Sequence, residues 1–408
     1  MIFLTFNDFE HGSGGTLRMR GILNELESSG HKITLFSNIK DKTFLAEGIQ
    51  HKNLNIKFSR YEKRLFQFLM TLFPLFIVDF FFFNKFKNLK YYFTKNNILG
   101  KEIISFEYLD NTFAYYLKKK LLISSYTNDL HGMAPNEFKH KTNTNIISKI
   151  YNKFRFFVAT RLDEKVFSSA DGLIFASNPM KQYYLNQYES LKDKKAYVIP
   201  YVLEEKAFKQ TVDKVLLEKI RLEYSIQDSD EIIFFAGSFK ESGGILNLVD
   251  AFISLSAKRE KLKLFILGKG YMLDQIKMKI KNASLEHRTV LAGTIPYEEL
   301  RTYQALSKVI ICPDIKNTYS DLIVHLKYYD SLLSGKIVIN GSFTSVLEIN
   351  KNENLSINYE PSNIEDLALK IDYALENIAL LNTKYKKNSL LSFFKYSSYT
   401  QELSRIYK

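Results

Sequence analysis

Twice in this chain a short, unbroken apolar run leads into a glycine-rich loop, and the loop leads into a helix with one apolar face. In the first copy, residues 2–6 (IFLTF) read as a strand and Gly12 to Gly15 as the loop. A helix over about 16–28 follows, with Met19, Ile22, Leu23 and Leu26 at helical spacing. Gly30 stops that helix, and Ile33 to Phe36 begin another strand. In the second copy, Ile232 to Ala236 form the strand and Gly237 to Gly244 the loop. Ile245, Leu248, Val249, Phe252 and Leu255 mark the helix face, and Leu264 to Leu267 return as a strand ended by Gly268-Lys269-Gly270. Strand, helix and strand in so short a stretch require a parallel, right-handed unit. Further strand-like runs at 101–106, 121–126, 172–176 and 197–199, then at 289–293, 309–313 and 336–339, extend each copy into a sheet covered on both faces. A chain of 408 residues exceeds one ordinary core. The reading is therefore an α/β chain with one domain over 1–200, a second over 201–385 and a cleft between them. A terminal segment, 386–408, returns as a helix to the first domain. Polar residues 139–149 read as a flexible connection.

Charge and residue counts narrow the function classes. The formal net charge is +13, which favours an anionic partner: nucleic acid, an acidic membrane face or a phosphorylated substrate. No recognised nucleic-acid module accompanies the basic residues, so nucleic acid is not expected. Cys312 is the only cysteine, which excludes an intrachain disulfide and a thiolate metal cluster and makes the cytoplasm the simplest compartment. The seven histidines show no metal-ligand spacing, so no protein-bound metal is expected. The apolar start lacks a basic n-region and a cleavage site, and reads as a strand. Residues 65–83 are almost continuously apolar but contain Gln67, Pro74 and Asp79. Lys63 and Arg64 precede them, and Lys85, Lys87, Lys90 and Lys95 follow. Three readings stand: a membrane span, an ordinary helix with a large apolar face, or a segment lying on an anionic membrane surface. The basic flanks favour the last, peripheral attachment.

Candidate site residues fall at the expected loops. Gly14 and Gly15 either form a tight turn or let a ligand approach the helix end, with Arg18 close by for a phosphate. The loop is not G-x-G-x-x-G, and Phe36-Ser37-Asn38 supplies no acidic residue for a dinucleotide. In the second loop a diphosphate bound at Gly237 and the neighbouring Gly268 would be neutralised by the helix end together with Lys240 or with Lys269 of the Gly268-Lys269-Gly270 turn, although a loop lysine is often only solvated. Nor is this a Walker loop. His131, after Asn128-Asp129-Leu130, is placed either to bond a sugar hydroxyl, with Asp129 orienting its ring, or to cap a helix. Lys327 and Asp330, three apart on one helix, suit a phosphate and a pair of ribose hydroxyls, or else bridge each other at the surface.

These residues carry a resemblance to the family 4 retaining glycosyltransferases of GT-B architecture, two Rossmann-like domains with parallel sheets. The matching segments are Gly14-Gly15, Gly30-His31-Lys32-Ile33, Ile199-Pro200-Tyr201, Leu264 to Gly270 and Gly293-Thr294-Ile295. The most specific is His325-Leu326-Lys327-Tyr328-Tyr329-Asp330 with Gly335-Lys336-Ile337-Val338, against the family's P-L-K-x-x-E-x-x-x-x-G-K-P-V. The resemblance implies that Asp330 replaces the glutamate holding the nucleotide ribose, that His131 contacts the donor sugar, and that Glu348 takes a further family position. The first glutamate of the family's pair falls at Leu322, beside Asp321. Ser238 and Gly243 stand where an Arg and a Lys usually meet the leaving diphosphate. The implied function is sugar transfer with retention from an NDP-sugar, in UDP or GDP form, to a glycan or lipid-linked acceptor in surface-polysaccharide synthesis, with no cofactor beyond the donor. The alternative is a catalytically impaired relative acting as a binding or scaffold subunit.

Overall fold

A strand inside a parallel sheet is covered on both faces, so its residues are apolar without alternation. Ile232 to Phe235 meet that demand, all of them buried in strand β8 (Glu231–Ala236). The computed structural model describes residues 1–9, 14–130, 132–133, 135–136, 146–385 and 389–407. The chain divides into two compact units, Met1–Tyr201 with Tyr396–Lys408, and Val202–Lys395.

The first unit is built on β1 (Ile2–Leu4), β2 (Thr34–Ser37), β3 (Gln50–Asn53), β4 (Glu102–Ser105), β5 (Ser125–Leu130), β6 (Gly172–Phe175) and β7 (Lys195–Val198). Their order is β3-β2-β1-β4-β5-β6-β7, and every pairing is parallel. The second unit carries β8, β9 (Leu262–Leu267), β10 (Thr289–Leu291), β11 (Val309–Cys312), β12 (Ile337–Gly341) and β13 (Ile357–Tyr359), in the order β10-β9-β8-β11-β12-β13, again all parallel. Both sheets are thus Rossmann-like. Strand order reverses between β1 and β4 in one and between β8 and β11 in the other. Loops leaving the carboxyl ends of those strands diverge, and ligands of open α/β sheets bind in the crevice this opens.

Helix Ile245–Ser256 buries Ile245, Leu248, Val249, Phe252 and Leu255, the five positions its spacing marks. Three local readings change. The strand expected at 121–126 lies at 125–130 instead: Leu121 takes a left-handed turn (φ +56°), and the strand buries Thr127, Asn128 and Asp129. Strands β3 and β13 were not expected: β3 (QHKN) is polar, and β13 (INY), although its Ile357 and Tyr359 are buried, is only three residues long. The apolar stretch 65–83 is broken at Pro74, which lacks an N–H to continue a helix. It becomes part of helix Arg60–Leu72, opened by a Ser59/Glu62 capping box, and of helix Leu75–Phe86. Among the described residues no helix is long and apolar enough to cross a membrane. Of the connection expected at 139–149, residues 146–149 open helix Ile146–Ser169, and the rest lies outside the described residues.

The C-terminal helix Thr400–Ile406 belongs to the first unit. Ser404 Oγ lies 2.8 Å from His31 Nε2, and the Tyr407 hydroxyl donates to Asp129 at 3.1 Å. Gly21 makes room for this return, since a Cβ there would come within 2.1 Å of the Tyr396 ring.

Candidate functional site

In the second unit, the loops after β8, β9, β10 and β11 are laced together at the strand ends. Gly237 N–H donates to Leu267 O (3.0 Å), Phe239 N–H to Lys269 O (2.9 Å), Gly268 N–H to Gly293 O (2.6 Å) and Ile315 N–H to Ser242 O (3.1 Å). The glycines permit this closeness. A Cβ on Gly268 would lie 1.8 Å from the Gly237 carbonyl oxygen, and one on Gly237 would lie 2.9 Å from the Phe235 ring. Gly237 and Gly268 were expected among the residues that bind the diphosphate; the space their missing side chains leave is filled by protein. Gly244 is the tightest case: its φ is +67°, and a Cβ would sit 1.7 Å from the Pro313 carbonyl oxygen. Gly244→Ala is expected to lower the unfolding free energy by about 3 kcal/mol, through strain and displacement of the β11 loop. Urea denaturation followed by circular dichroism measures it.

Lys240 sits exposed on this loop, immediately before the short turn Glu241–Gly243 that leads into helix Ile245–Ser256. A cation there adds to the positive end of the helix.

The loop after β11 brings in Asp314, a residue the sequence reading did not single out. Its carboxylate is 4 % exposed and receives Lys327 Nζ at 2.8 Å and His325 Nδ1 at 3.2 Å. Burial alone would push this carboxyl up, but Lys327 and then His325 overcome that and hold it well below the usual range. Lys327 also lies over the Phe235 ring, 5.3 Å from its centroid. Lys327 therefore pairs with Asp314, and the surface bridge to Asp330 does not form. The signal that could have marked Asp314 is its position, two residues past the end of a parallel strand.

Asp330 stands one turn further along helix Leu326–Leu333, which ends where Gly335 adopts φ +70°. It is 8 % exposed. The Tyr297 hydroxyl donates to its Oδ1 at 2.5 Å, and Arg301 Nη1 donates to its backbone carbonyl at 3.1 Å. Burial raises the Asp330 carboxyl to about 6, against the opposing pull of Tyr297 and Arg301. A buried carboxylate held by one donor keeps acceptor capacity for hydroxyl groups. Asp321, beside the position where the family's first glutamate is missing, accepts from Thr344 N at 2.9 Å and Thr344 Oγ1 at 2.8 Å. It thereby ties down the start of helix Thr344–Ile349, which carries the half-buried Glu348.

In the first unit, Gly14 and Gly15 open helix Gly14–Ser28 after β1, while the preceding residues 10–13 lie outside the description. Arg18, expected beside a ligand phosphate, is instead fully buried. Its Nε and Nη2 donate to the two Asp129 oxygens at 2.8 and 3.0 Å, and Nη1 donates to Pro200 O at 3.1 Å. With 0 % exposure it has no surface to offer a phosphate. The pair arises because the polar end of β5 faces inward across the first helix. His131 lies outside the described residues. Among the described residues no cluster of three or more potential ligands could hold a metal ion.

Residues 217–390 match the family described as "Glycosyl transferases group 1". A 170-residue stretch, 41% of this chain and 37% of the relative's length, is 25% identical to the alpha-monoglucosyldiacylglycerol synthase of Streptococcus pneumoniae. Two solved structures resemble the whole chain. The sucrose-phosphate synthase of Thermosynechococcus elongatus has a TM-score of 0.74 at 15% identity, covering 100% of this chain and 97% of that one. The Anabaena protein HepE in complex with UDP-glucose has a TM-score of 0.68 at 12% identity, covering 99% and 98%. At these identities the likeness is one of fold.

Proposed function

We infer that this chain, whose fold is that of GT-B glycosyltransferases and whose residues 217–390 match the glycosyl transferases group 1 family, is a retaining, family 4 type enzyme moving a hexose from a UDP- or GDP-sugar to a glycan or lipid-linked acceptor at the cytoplasmic face of an anionic membrane. The observation that carries this reading is Asp330, a buried carboxylate on the helix after β11, where the resembling family places its ribose-binding glutamate. Support for a UDP-sugar comes from the likeness to a UDP-glucose complex, and support for a lipid-linked acceptor from the pneumococcal relative.

In the proposed reaction the bond from the sugar's anomeric carbon to the diphosphate breaks, and the acceptor oxygen attacks on the same face. The leaving phosphate takes the acceptor's proton, so a carboxylate nucleophile is not needed. Negative charge grows on the diphosphate, where it is met by Lys240 and the end of helix Ile245–Ser256, with His131 contacting the sugar. Lys240→Ala is expected to lower kcat roughly 100-fold with little change in KM. The assay is nucleoside diphosphate release from a panel of UDP- and GDP-sugars in the presence of acceptor lipid. Acceptor-independent silence with every donor from a folded protein rules the enzyme reading out.

One observation favours a second reading, a nucleotide-binding subunit without turnover. Ser238 and Gly243 carry no charge, and Lys327 is already paired with Asp314. Calorimetry separates the two: tight binding of UDP or GDP without release from any donor supports the silent subunit.

A further inference from the structure

Helices of water-soluble units turn their apolar stripes inward, yet two helices of the first unit carry such stripes outward. On helix Leu75–Phe86, Phe76, Phe80 and Phe83 are 68, 78 and 63 % exposed. On helix Ile146–Ser169, Ile147, Ile150, Tyr151, Phe154 and Phe157 recur at helical spacing and are all exposed. Phe73, between helices Arg60–Leu72 and Leu75–Phe86, packs on Phe68 at 5.7 Å between ring centroids, and Phe68 packs on Phe154 of helix Ile146–Ser169 at 5.9 Å.

Between helices Arg60–Leu72 and Ile146–Ser169 this surface deepens into a pocket of about 310 Å³, within the range of small-molecule sites. Leu65, Phe68, Phe154 and Val158 make its walls apolar, and Arg64 and Arg155 are the two charges lining it. Burial depresses the Arg155 guanidinium, and repulsion from Arg64 and Arg60 adds to this against the opposing Tyr151 and Tyr108. Like charges gathered on an apolar wall gain most from an anion with a hydrocarbon body. Guanidinium forks match a phosphate, and the surrounding aromatic stripe suits the headgroup layer of a bilayer.

We propose that this groove binds one phospholipid of an anionic bilayer, its phosphate held by Arg64 and Arg155 and the first part of an acyl chain lying along Leu65, Phe68, Phe154 and Val158. The proposal rests on the membrane reading above and adds a discrete lipid site to it.

The test titrates the full chain with dihexanoyl phosphatidylglycerol below its micelle concentration. Dihexanoyl phosphatidylcholine and glycerol phosphate are the comparison ligands, and flotation on phosphatidylglycerol vesicles runs in parallel. The anionic lipid is expected to bind at least tenfold more tightly than either comparison ligand. Arg64→Gln with Arg155→Gln removes that preference. Arg155→Lys, which keeps a charge but loses the fork, weakens binding several-fold and guards against misfolding in the double variant. Phe80→Ser, outside the groove, reduces flotation and leaves the titration unchanged. Equal binding of the three ligands, or an unchanged titration in a folded double variant, overturns the site. If vesicles still float the wild type while the soluble lipid fails to bind, the groove is wrong and membrane attachment stands. If neither occurs, both fall. Nucleotide release, assayed separately, reports on the transferase reading alone.

Discussion

Asp129→Ala is expected to lower the unfolding free energy by about 3–5 kcal/mol, the usual cost of leaving one charge of a buried pair alone. Marginal stability makes that a large fraction of the total. Arg18 and Asp129 are both fully buried, so neither can turn to solvent when its partner is lost. Tyr407 adds to the effect, because its hydroxyl donates to the same carboxylate and would be left without that acceptor, loosening the C-terminal helix. The cost belongs to the stranded charge more than to the pair. Arg18→Met combined with Asp129→Leu and Tyr407→Phe is therefore expected to recover most of the stability. Thermal and urea unfolding of the single and triple variants measures both statements. A single variant as stable as the parent would show that Arg18 finds another partner or reaches water.

Asp330→Ala is expected to weaken UDP binding by about 3 kcal/mol, roughly two decades in Kd, if its carboxylate accepts from the ribose. The raised carboxyl adds a pH signature. With a folded-state value near 6, the group is largely ionised at pH 7.5 and largely protonated at pH 5. UDP affinity should then fall as pH drops through 6, and Asp330→Asn should remove that fall. The stability sign runs the other way. A carboxyl raised above its unfolded value favours the folded state only when protonated, so its cost is relieved at low pH and grows as pH rises from about 4 to 6. Tyr297→Phe removes the donor that lowers Asp330 and should move the affinity transition to higher pH. Calorimetry between pH 5 and 8 tests all three. A flat affinity profile in the wild type would sink the ribose assignment.

Sequence by itself determined the two Rossmann-like units, because parallel strands need continuous apolar runs and the runs at 2–6 and 232–236 are each followed by a glycine loop and an amphipathic face. It also put Lys327 and Asp330 on one helix, since their apolar neighbours recur at helical spacing. Tertiary structure alone decided what those side chains meet. Nothing local in the chain tells that Lys327 is taken by Asp314, that Asp321 ties down the helix carrying Glu348, or that Arg18 is sealed against Asp129 from 111 positions away. Nor could spacing tell that the absent side chains of Gly237 and Gly268 make room for backbone and ring atoms of the protein itself. Periodicity records which face of an element is apolar. It holds no record of what packs on that face, and so the outward stripe on helix Ile146–Ser169 and the groove beside it emerge only once the helices are brought together.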